Sequence, residues 1–124
     1  MNYYLDTDIC IFALKGTFLT IAQWIQSYSP DRLKISAIVK AELLLGGQRS
    51  DQSKRVLQMV ERFLDPFEIV AFDDRCAHVY ATVRLTLEHE GRAIGPHDLL
   101  IASTVLAHQG KFRSCNYTYM LTYT

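Results

Sequence analysis

Three carboxylates in this sequence stand at or within apolar segments, where an acid could serve a chemical function. Asp98 begins the apolar run 99–102, Asp6 follows a short β-prone run, and Glu42 interrupts the apolar segment 41–45. Carboxylates that converge in a folded protein can bind a divalent cation. Oxygen donors without a His or Cys at matching spacing favour the hard ions Mg²⁺ or Mn²⁺.

Each acid also has a simpler role. Asp6 or Asp8 could cap the helix that follows, which is worth about 1 kcal/mol, and Asp98 could complement a helix macrodipole. Glu42 could be an ordinary solvated side chain. These simpler roles do not explain a cluster of all three acids, because carboxylates about 4 Å apart repel by about 4 kcal/mol per pair at an effective dielectric near 20. A cluster of all three therefore requires protons or a cation.

The elements that must position these acids alternate along the chain. The periodicity predicts strands at 2–5, 33–36 and 67–72, and helices at 9–16, 21–28, 37–45, 51–64, 74–91 and 97–108. Strands separated by helices predict an α/β fold, a three-layer α/β/α sandwich with a short central parallel sheet. Ligands in such sheets bind beyond the carboxyl ends of the strands, so we expect all three acids at that edge.

Length and charge limit the function classes. The 124 residues fit a single domain spanning 1–124, and 13 basic residues balance 13 acidic ones, so no global field favours nucleic acid or a membrane. No run approaches the about 18 apolar residues of a membrane span, and the first six residues do not resemble a signal peptide. We expect a cytoplasmic protein whose cysteines, Cys10, Cys76 and Cys115, are reduced and mostly packed, since they lack zinc-like spacing.

Three segments carry a resemblance to a known family. They are Tyr4-Leu5-Asp6-Thr7-Asp8-Ile9-Cys10-Ile11, the stretch 35–46 (ISAIVKAELLLG) and the stretch 94–102 (IGPHDLLIA). Their order and types resemble the PIN domain, and specifically the VapC-type toxins of bacterial toxin-antitoxin pairs. The resemblance covers roughly residues 1 to 110 and includes all three acids.

The resemblance implies a Mg²⁺-dependent endoribonuclease that cuts RNA, such as tRNA or rRNA, and blocks translation until a VapB-type antitoxin binds. It implies that Asp6, Glu42 and Asp98 are catalytic and hold the metal, and that Ser36 orients Asp6 or Glu42 by hydrogen bonding. It also implies a homodimer and an apolar groove for the antitoxin. The segment 9–28 carries more apolar surface than one small sheet hides, namely Phe12, Phe18, Leu19, Ile21, Trp24 and Ile25.

Two departures from the family pattern matter. The family usually has Asn or Ser where Asp8 stands, and an acid there could bind metal or cap the helix. The segment from about residue 111 is atypical or truncated: Arg113 replaces an apolar strand residue, Asn116 falls near the expected polar cluster, and Tyr117 stands where a fourth acid is expected. This leaves open an alternative, a catalytically impaired remnant that binds antitoxin or RNA without cleaving it.

The residues that bind substrate are not identified by the sequence. The available basic residues are as consistent with an ordinary solvated surface as with phosphate binding. They are Arg49, Lys54, Arg55, Arg84, Arg92, Lys111 and Arg113. His97 adjoins Asp98, but neighbouring helical side chains point about 100° apart. The histidines His78, His89, His97 and His108 are not spaced as a metal set.

Overall fold

A four-stranded parallel sheet lies at the centre of the computed structural model, which describes residues 2–113. The strands are β1 (Tyr3–Leu5), β2 (Leu33–Ser36), β3 (Glu68–Val70) and β4 (Lys111–Arg113). Their order is β3-β2-β1-β4, with Tyr3 opposite both Leu33 and Lys111. The predicted parallel sheet is confirmed, and β1, which leads directly to Asp6, is one of its two central strands.

Six helices flank the sheet and complete the predicted three-layer α/β/α sandwich. They are α1 (Thr7–Lys15), α2 (Leu19–Gln26), α3 (Ala37–Arg49), α4 (Ser53–Leu64), α5 (Asp74–His89) and α6 (Pro96–Ala107). Helix α5 packs along α6, and α3 packs on α4 and α1. In residues 2–113 no single helix is both long and apolar enough to cross a membrane; α1 and α2 pass that test only as a pair bent by 107°.

Helix α6 is buried over most of its surface, as its apolar sequence predicted. Its buried residues include two polar ones, Ser103 and Thr104, neither of which has measurable exposure. Their hydroxyls donate to the carbonyls of Leu99 and Leu100 at 2.7 and 2.9 Å. Because the helix satisfies these hydroxyls internally, they can lie in the core at little cost.

The boundary predicted between the third and fourth helices is wrong. Helix α3 continues through Gly46-Gly47 to Arg49, and α4 begins at Ser53 with Gln52, rather than Asp51, at the N-cap. A Cβ at Gly47 would lie 2.7 Å from the Leu57 side chain. The second glycine therefore permits close packing between α3 and α4 instead of ending a helix.

The first part of the atypical C-terminal segment forms a regular strand. Lys111 donates its backbone N–H to the Asn2 carbonyl at 2.8 Å, and the Phe112 side chain is buried. The Arg113 guanidinium lies over the rings of Tyr3 and Trp24, at 5.1 and 5.4 Å from their centroids. A cation is thus accommodated at this position by stacking on aromatic rings.

Candidate active site

Asp6 lies at the junction between β1 and α1 and is buried, with 6% of its surface exposed. Its backbone N–H donates to the Arg113 carbonyl at 2.8 Å, and its own carbonyl accepts from Cys10 at 3.1 Å. Asp6 occupies the N-cap position, yet its carboxylate makes no capping hydrogen bond to α1. The simplest structural role for this acid, a helix cap, is therefore not the one that it performs.

Cys10 shows the electrostatic effect of Asp6. Its side chain is fully buried, and burial, followed by the negative charge of Asp6, raises the pKa of the Cys10 thiol. Both causes penalise the thiolate. Cys10 is therefore a neutral packed thiol, as expected from the sequence.

Glu42 is hydrogen-bonded through one of its oxygens and has a histidine near the other, both from other elements. The Thr7 hydroxyl donates to Glu42 Oε2 at 2.7 Å, and His97 Nδ1 lies 3.5 Å from Glu42 Oε1. Thr7 directly follows Asp6, and His97 directly precedes Asp98. These two contacts bring the segments that carry the three predicted acids to one edge of the sheet.

Asp98 lies in the first turn of α6, where its charge complements the helix macrodipole. Gly95 is the N-cap residue and Pro96 the first helical residue, one position before the predicted start of this helix. Asp98 is half-buried, whereas the side chain of His97 is 72% exposed. The acid is thus turned further into the protein than its histidine neighbour.

The three acids do not form a closed set of ligands. Within residues 2–113, the single group of three His, Cys, Asp or Glu side chains whose ligand atoms all lie within 4.8 Å of one another is a different one, Asp73, Cys76 and His108. Thr7 and His97 link the acidic segments through Glu42 instead. The catalytic and metal-binding roles of Asp6, Glu42 and Asp98 remain predictions.

The residues predicted to orient the acids have these positions. Ser36 is buried and its Oγ accepts from the Val39 N–H at 3.2 Å, which caps α3, so its orienting role toward Asp6 or Glu42 stays a prediction. Asp8 is exposed in the first turn of α1 and is not the N-cap residue. Asn116 lies outside the described residues.

A groove of about 580 Å³ lies between α1, α3 and α4, and Glu42 is one of its lining residues. Lys15 and Arg55 add two basic side chains to a lining that is otherwise mostly apolar. The apolar residues of the groove are Ile11, Leu14, Leu43, Val56, Met59 and Val60. An extended segment with apolar side chains could occupy the groove and reach the acidic edge.

Sequence reasoning did not anticipate that Thr7 and His97 lie beside Glu42. Both adjoin a predicted acid in sequence, but each contacts Glu42, which belongs to a different helix. The angle between neighbours on one helix describes that helix alone, so it could not reveal a contact between α6 and α3. The polar residue directly after Asp6 was the available signal.

Comparison with known proteins gives a consistent picture. A family model described as the PIN domain matches residues 3–117. Ribonuclease VapC2 of Rickettsia felis is 34% identical over 108 residues, covering 86% of this chain and 81% of the relative. The tRNA(fMet)-specific endonuclease VapC of Shigella flexneri is 28% identical over 102 residues, covering 82% and 76%. The crystal structure of VapBC2 from Rickettsia felis bound to a promoter DNA fragment matches with a TM-score of 0.92 and 30% identity, covering 99% and 93%.

Proposed function

Because this chain belongs to the PIN domain family, we propose that it is a VapC-type endoribonuclease toxin that uses Mg²⁺ or Mn²⁺ to cleave RNA and is neutralised by a VapB-type antitoxin. The names of its relatives support a ribonuclease, and the Shigella flexneri relative supports tRNA as the first substrate to test. The structural likeness to VapBC2 supports an antitoxin partner.

The observation that carries the proposal is the position of Glu42, which is hydrogen-bonded to Thr7 on one side and lies next to His97 on the other. Thr7 fixes one carboxylate oxygen at 2.7 Å, and His97 lies 3.5 Å from the other. A solvated glutamate on a helix surface needs no such partners, and ordering its side chain costs rotamer entropy. The restraint is what a group that must keep one orientation in a reaction requires.

The donor chemistry of the acidic edge fits a hard cation. Asp6, Glu42 and Asp98 offer only oxygen atoms, and Asp6 is a buried carboxylate that is not used as a cap. When bound, Mg²⁺ or Mn²⁺ would lower the pKa of a water and offset negative charge on a phosphodiester. Asp6, Glu42 and Asp98 would hold the ion, and its charge would offset the repulsion between their carboxylates as they converge on it.

The neighbouring side chains have separate tasks. Thr7 is a positioning residue, because its hydroxyl restrains Glu42 and carries no charge that would compete for a cation. His97 is mostly exposed beside Glu42 and is therefore accessible to an RNA phosphate approaching the edge. Both tasks concern orientation rather than proton transfer.

The groove between α1, α3 and α4 is the proposed antitoxin site. It is mostly apolar, it is about 580 Å³ in volume, and Glu42 is one of its lining residues. An antitoxin segment lying there would bury apolar side chains and could place an Arg against the carboxylates. Inhibition would follow because the segment occupies the edge where RNA must bind.

Homodimerisation is proposed through the start of α2. Phe18 and Leu19 are 47% and 71% exposed, and the Phe18 ring packs on Phe12 with the centroids 4.9 Å apart. Large exposed apolar side chains next to one another are typical of an interface.

The decisive experiment compares Asp6→Asn with Asp8→Asn on purified tRNA with Mg²⁺. The two residues are two positions apart, but Asp6 is buried at the edge and Asp8 is exposed on α1. We expect Asp6→Asn to lose about a hundredfold or more in cleavage rate, as EDTA does to the unaltered protein, while Asp8→Asn keeps most activity. Tight tRNA binding without cleavage in every sample would instead favour the impaired remnant.

A further inference from the structure

We infer that Asp73, Cys76 and His108 form a zinc-binding site that is separate from the acidic edge. One ligand atom from each of these residues lies within 4.8 Å of the others. The inference rests on this geometry and does not depend on the proposed nuclease function. None of the three belongs to the predicted catalytic set.

The three residues come together where α5 begins and α6, which packs against it, ends. Asp73 is the N-cap residue of α5, and one of its oxygens, Oδ1, accepts from the Cys76 N–H at 3.1 Å. Its other oxygen, Oδ2, lies 3.6 Å from Nε2 of His108, the C-cap residue of α6. One Asp73 oxygen is thus fixed by the backbone, which leaves the other oriented toward His108.

His108 is placed as a ligand would be. Its Nε2 atom is buried from solvent and makes no hydrogen bond, although the side chain as a whole is 26% exposed. With the proton on Nδ1, the Nε2 lone pair points into the cluster and is available to a metal. A buried nitrogen with no hydrogen-bond partner is uncommon, because leaving it so costs free energy.

The donor types select zinc over the hard ions expected at the acidic edge. Thiolate sulfur, imidazole nitrogen and carboxylate oxygen are all zinc ligands, and sulfur disfavours Mg²⁺ and Mn²⁺. Bond lengths of about 2.0–2.3 Å in a tetrahedral site place neighbouring donors about 3.4 Å apart. The 3.6 Å between Asp73 and His108 is already close to that separation.

The site would have three protein ligands and an open fourth position. Asp73 has 45% of its side chain exposed, so solvent reaches the cluster and a water can complete the tetrahedron. Cys76 is fully buried, and its Sγ lies 3.8 Å from the Ala71 carbonyl. On binding, the sulfur would exchange that weak contact for zinc and release one proton to solvent.

Some of the charges near the cluster oppose binding of a cation and others favour it. Arg75 lies near Asp73, and the N-terminus of α5 also disfavours a cation. The Arg75 guanidinium also donates to the Ala107 carbonyl at the C-terminus of α6, at 2.8 Å, so a cation already lies at that helix end. The Cys76 thiolate and Asp73 carboxylate together carry two negative charges. The negative groups are direct ligands, so they are closer to the ion than the opposing charges are.

Distance along α6 separates the two sites. Asp98 and His108 are ten residues apart at opposite ends of the helix, which corresponds to about 15 Å. Zinc bound to Asp73, Cys76 and His108 would join the start of α5 to the end of α6. It would therefore stabilise the helix that carries Asp98 without contacting that acid.

The test uses the full chain with Co²⁺ or Zn²⁺ alone as the probe, in excess Mg²⁺ to occupy the all-oxygen edge. Co²⁺ bound to a thiolate gives a sulfur-to-cobalt absorption band in the near ultraviolet. Zn²⁺ should displace the Co²⁺ and so remove the band. We expect a saturable band and a Zn²⁺-dependent rise in the unfolding midpoint. Cys76→Ser should abolish the band, and His108→Gln should weaken binding by at least about tenfold.

The matched control is His78→Gln. His78 pairs with Asp74 at the same 3.6 Å separation and also lies on α5, but no cysteine among residues 2–113 completes that pair. His78→Gln should keep the band and the stabilisation. No thiolate band in the unaltered protein, a band retained in Cys76→Ser, or unchanged affinity in His108→Gln would each overturn the inference. Unfolding midpoints without metal show whether each variant is folded.

Discussion

The Thr7 hydroxyl donates a hydrogen bond to Glu42 across 2.7 Å, joining two residues 35 positions apart in the chain. Thr7 begins α1 directly after Asp6, whereas Glu42 lies in α3. The bond therefore sets where one predicted metal ligand lies relative to another. A neutral donor suits this task, because it leaves the negative charge of the carboxylate intact.

Replacing Thr7 with Val should lower RNA cleavage by about 10- to 100-fold, because Glu42 loses the partner that orients it. Thr7→Ser keeps the hydroxyl and should keep most of the activity. The affinity for Mn²⁺, measured by titration, should fall together with the rate in Thr7→Val. Equal activity in the two variants would show that the hydrogen bond is only structural.

A charge introduced into the groove should separate inhibition from catalysis. Met59→Glu places a carboxylate among apolar residues and should weaken binding of a VapB-type antitoxin by about tenfold or more, since apolar burial is lost. Gln58→Glu adds the same charge at an exposed neighbour and should have little effect. RNA cleavage without antitoxin should be unchanged in both. Full inhibition of Met59→Glu would place the antitoxin elsewhere.

Leu19→Asp should convert the proposed homodimer to a monomer, because Leu19 is 71% exposed at the start of α2. Leu85→Asp is the matched control, since Leu85 is another large apolar residue, 54% exposed, on α5. Light scattering coupled to size-exclusion chromatography gives the mass of each. A monomeric mass for the unaltered protein at micromolar concentration would contradict the dimer.

Gly110→Ala should destabilise the fold by about 1–3 kcal/mol. A Cβ at Gly110 would clash with the Tyr4 ring, which is buried. Gly46→Ala, in the middle of α3 with nothing within 4 Å of the added Cβ, should stabilise by about 1 kcal/mol. Urea unfolding of the two variants measures both changes, whose signs should be opposite.

Stability should fall at high pH because of Tyr4. Burial, followed by the negative charges of Glu68 and Cys76, raises the pKa of Tyr4 from 10.0 to about 12. A raised pKa means that the folded state holds the proton more tightly. The contribution of Tyr4 to the free energy of unfolding is complete below pH 10 and is lost as pH rises toward 12. Its size is about 2–3 kcal/mol, at about 1.4 kcal/mol per pH unit.

Tyr4→Phe should remove this part of the pH dependence, and Tyr28→Phe should leave it in place. Free energies of unfolding between pH 8 and 11 provide the comparison. If Tyr4→Phe loses stability with pH as steeply as the unaltered protein, another group is responsible.

The sequence predicted the sheet and the buried helix because those depend on local apolar patterns. Helix α6 is apolar nearly all round and is buried, and the runs at 33–36 and 67–72 contain β2 and β3. The end of α3 was predicted wrongly because Gly46-Gly47 looks like a helix stop when read alone. Only the position of Leu57 on the next helix shows that Gly47 serves packing.

The candidate sites show the same limit. The sequence indicated which carboxylates to consider, yet the residues that hold Glu42 come from α1 and α6. The cluster of Asp73, Cys76 and His108 was also missed, because two of its members share one helix end and the third comes from another helix. Such contacts depend on how the helices pack, so the spacing of residues along the chain does not reveal them.

The pairing of β1 with β4 has a consequence for the order in which the protein is made. The Asp6 backbone N–H is held by the Arg113 carbonyl, and the two residues lie near opposite ends of the described chain. A nascent chain emerging from the ribosome contains Asp6 long before its partner strand exists. The main-chain support for this acid can therefore form only when synthesis has passed β4, which delays assembly of the acidic edge until nearly all of residues 2–113 have been translated.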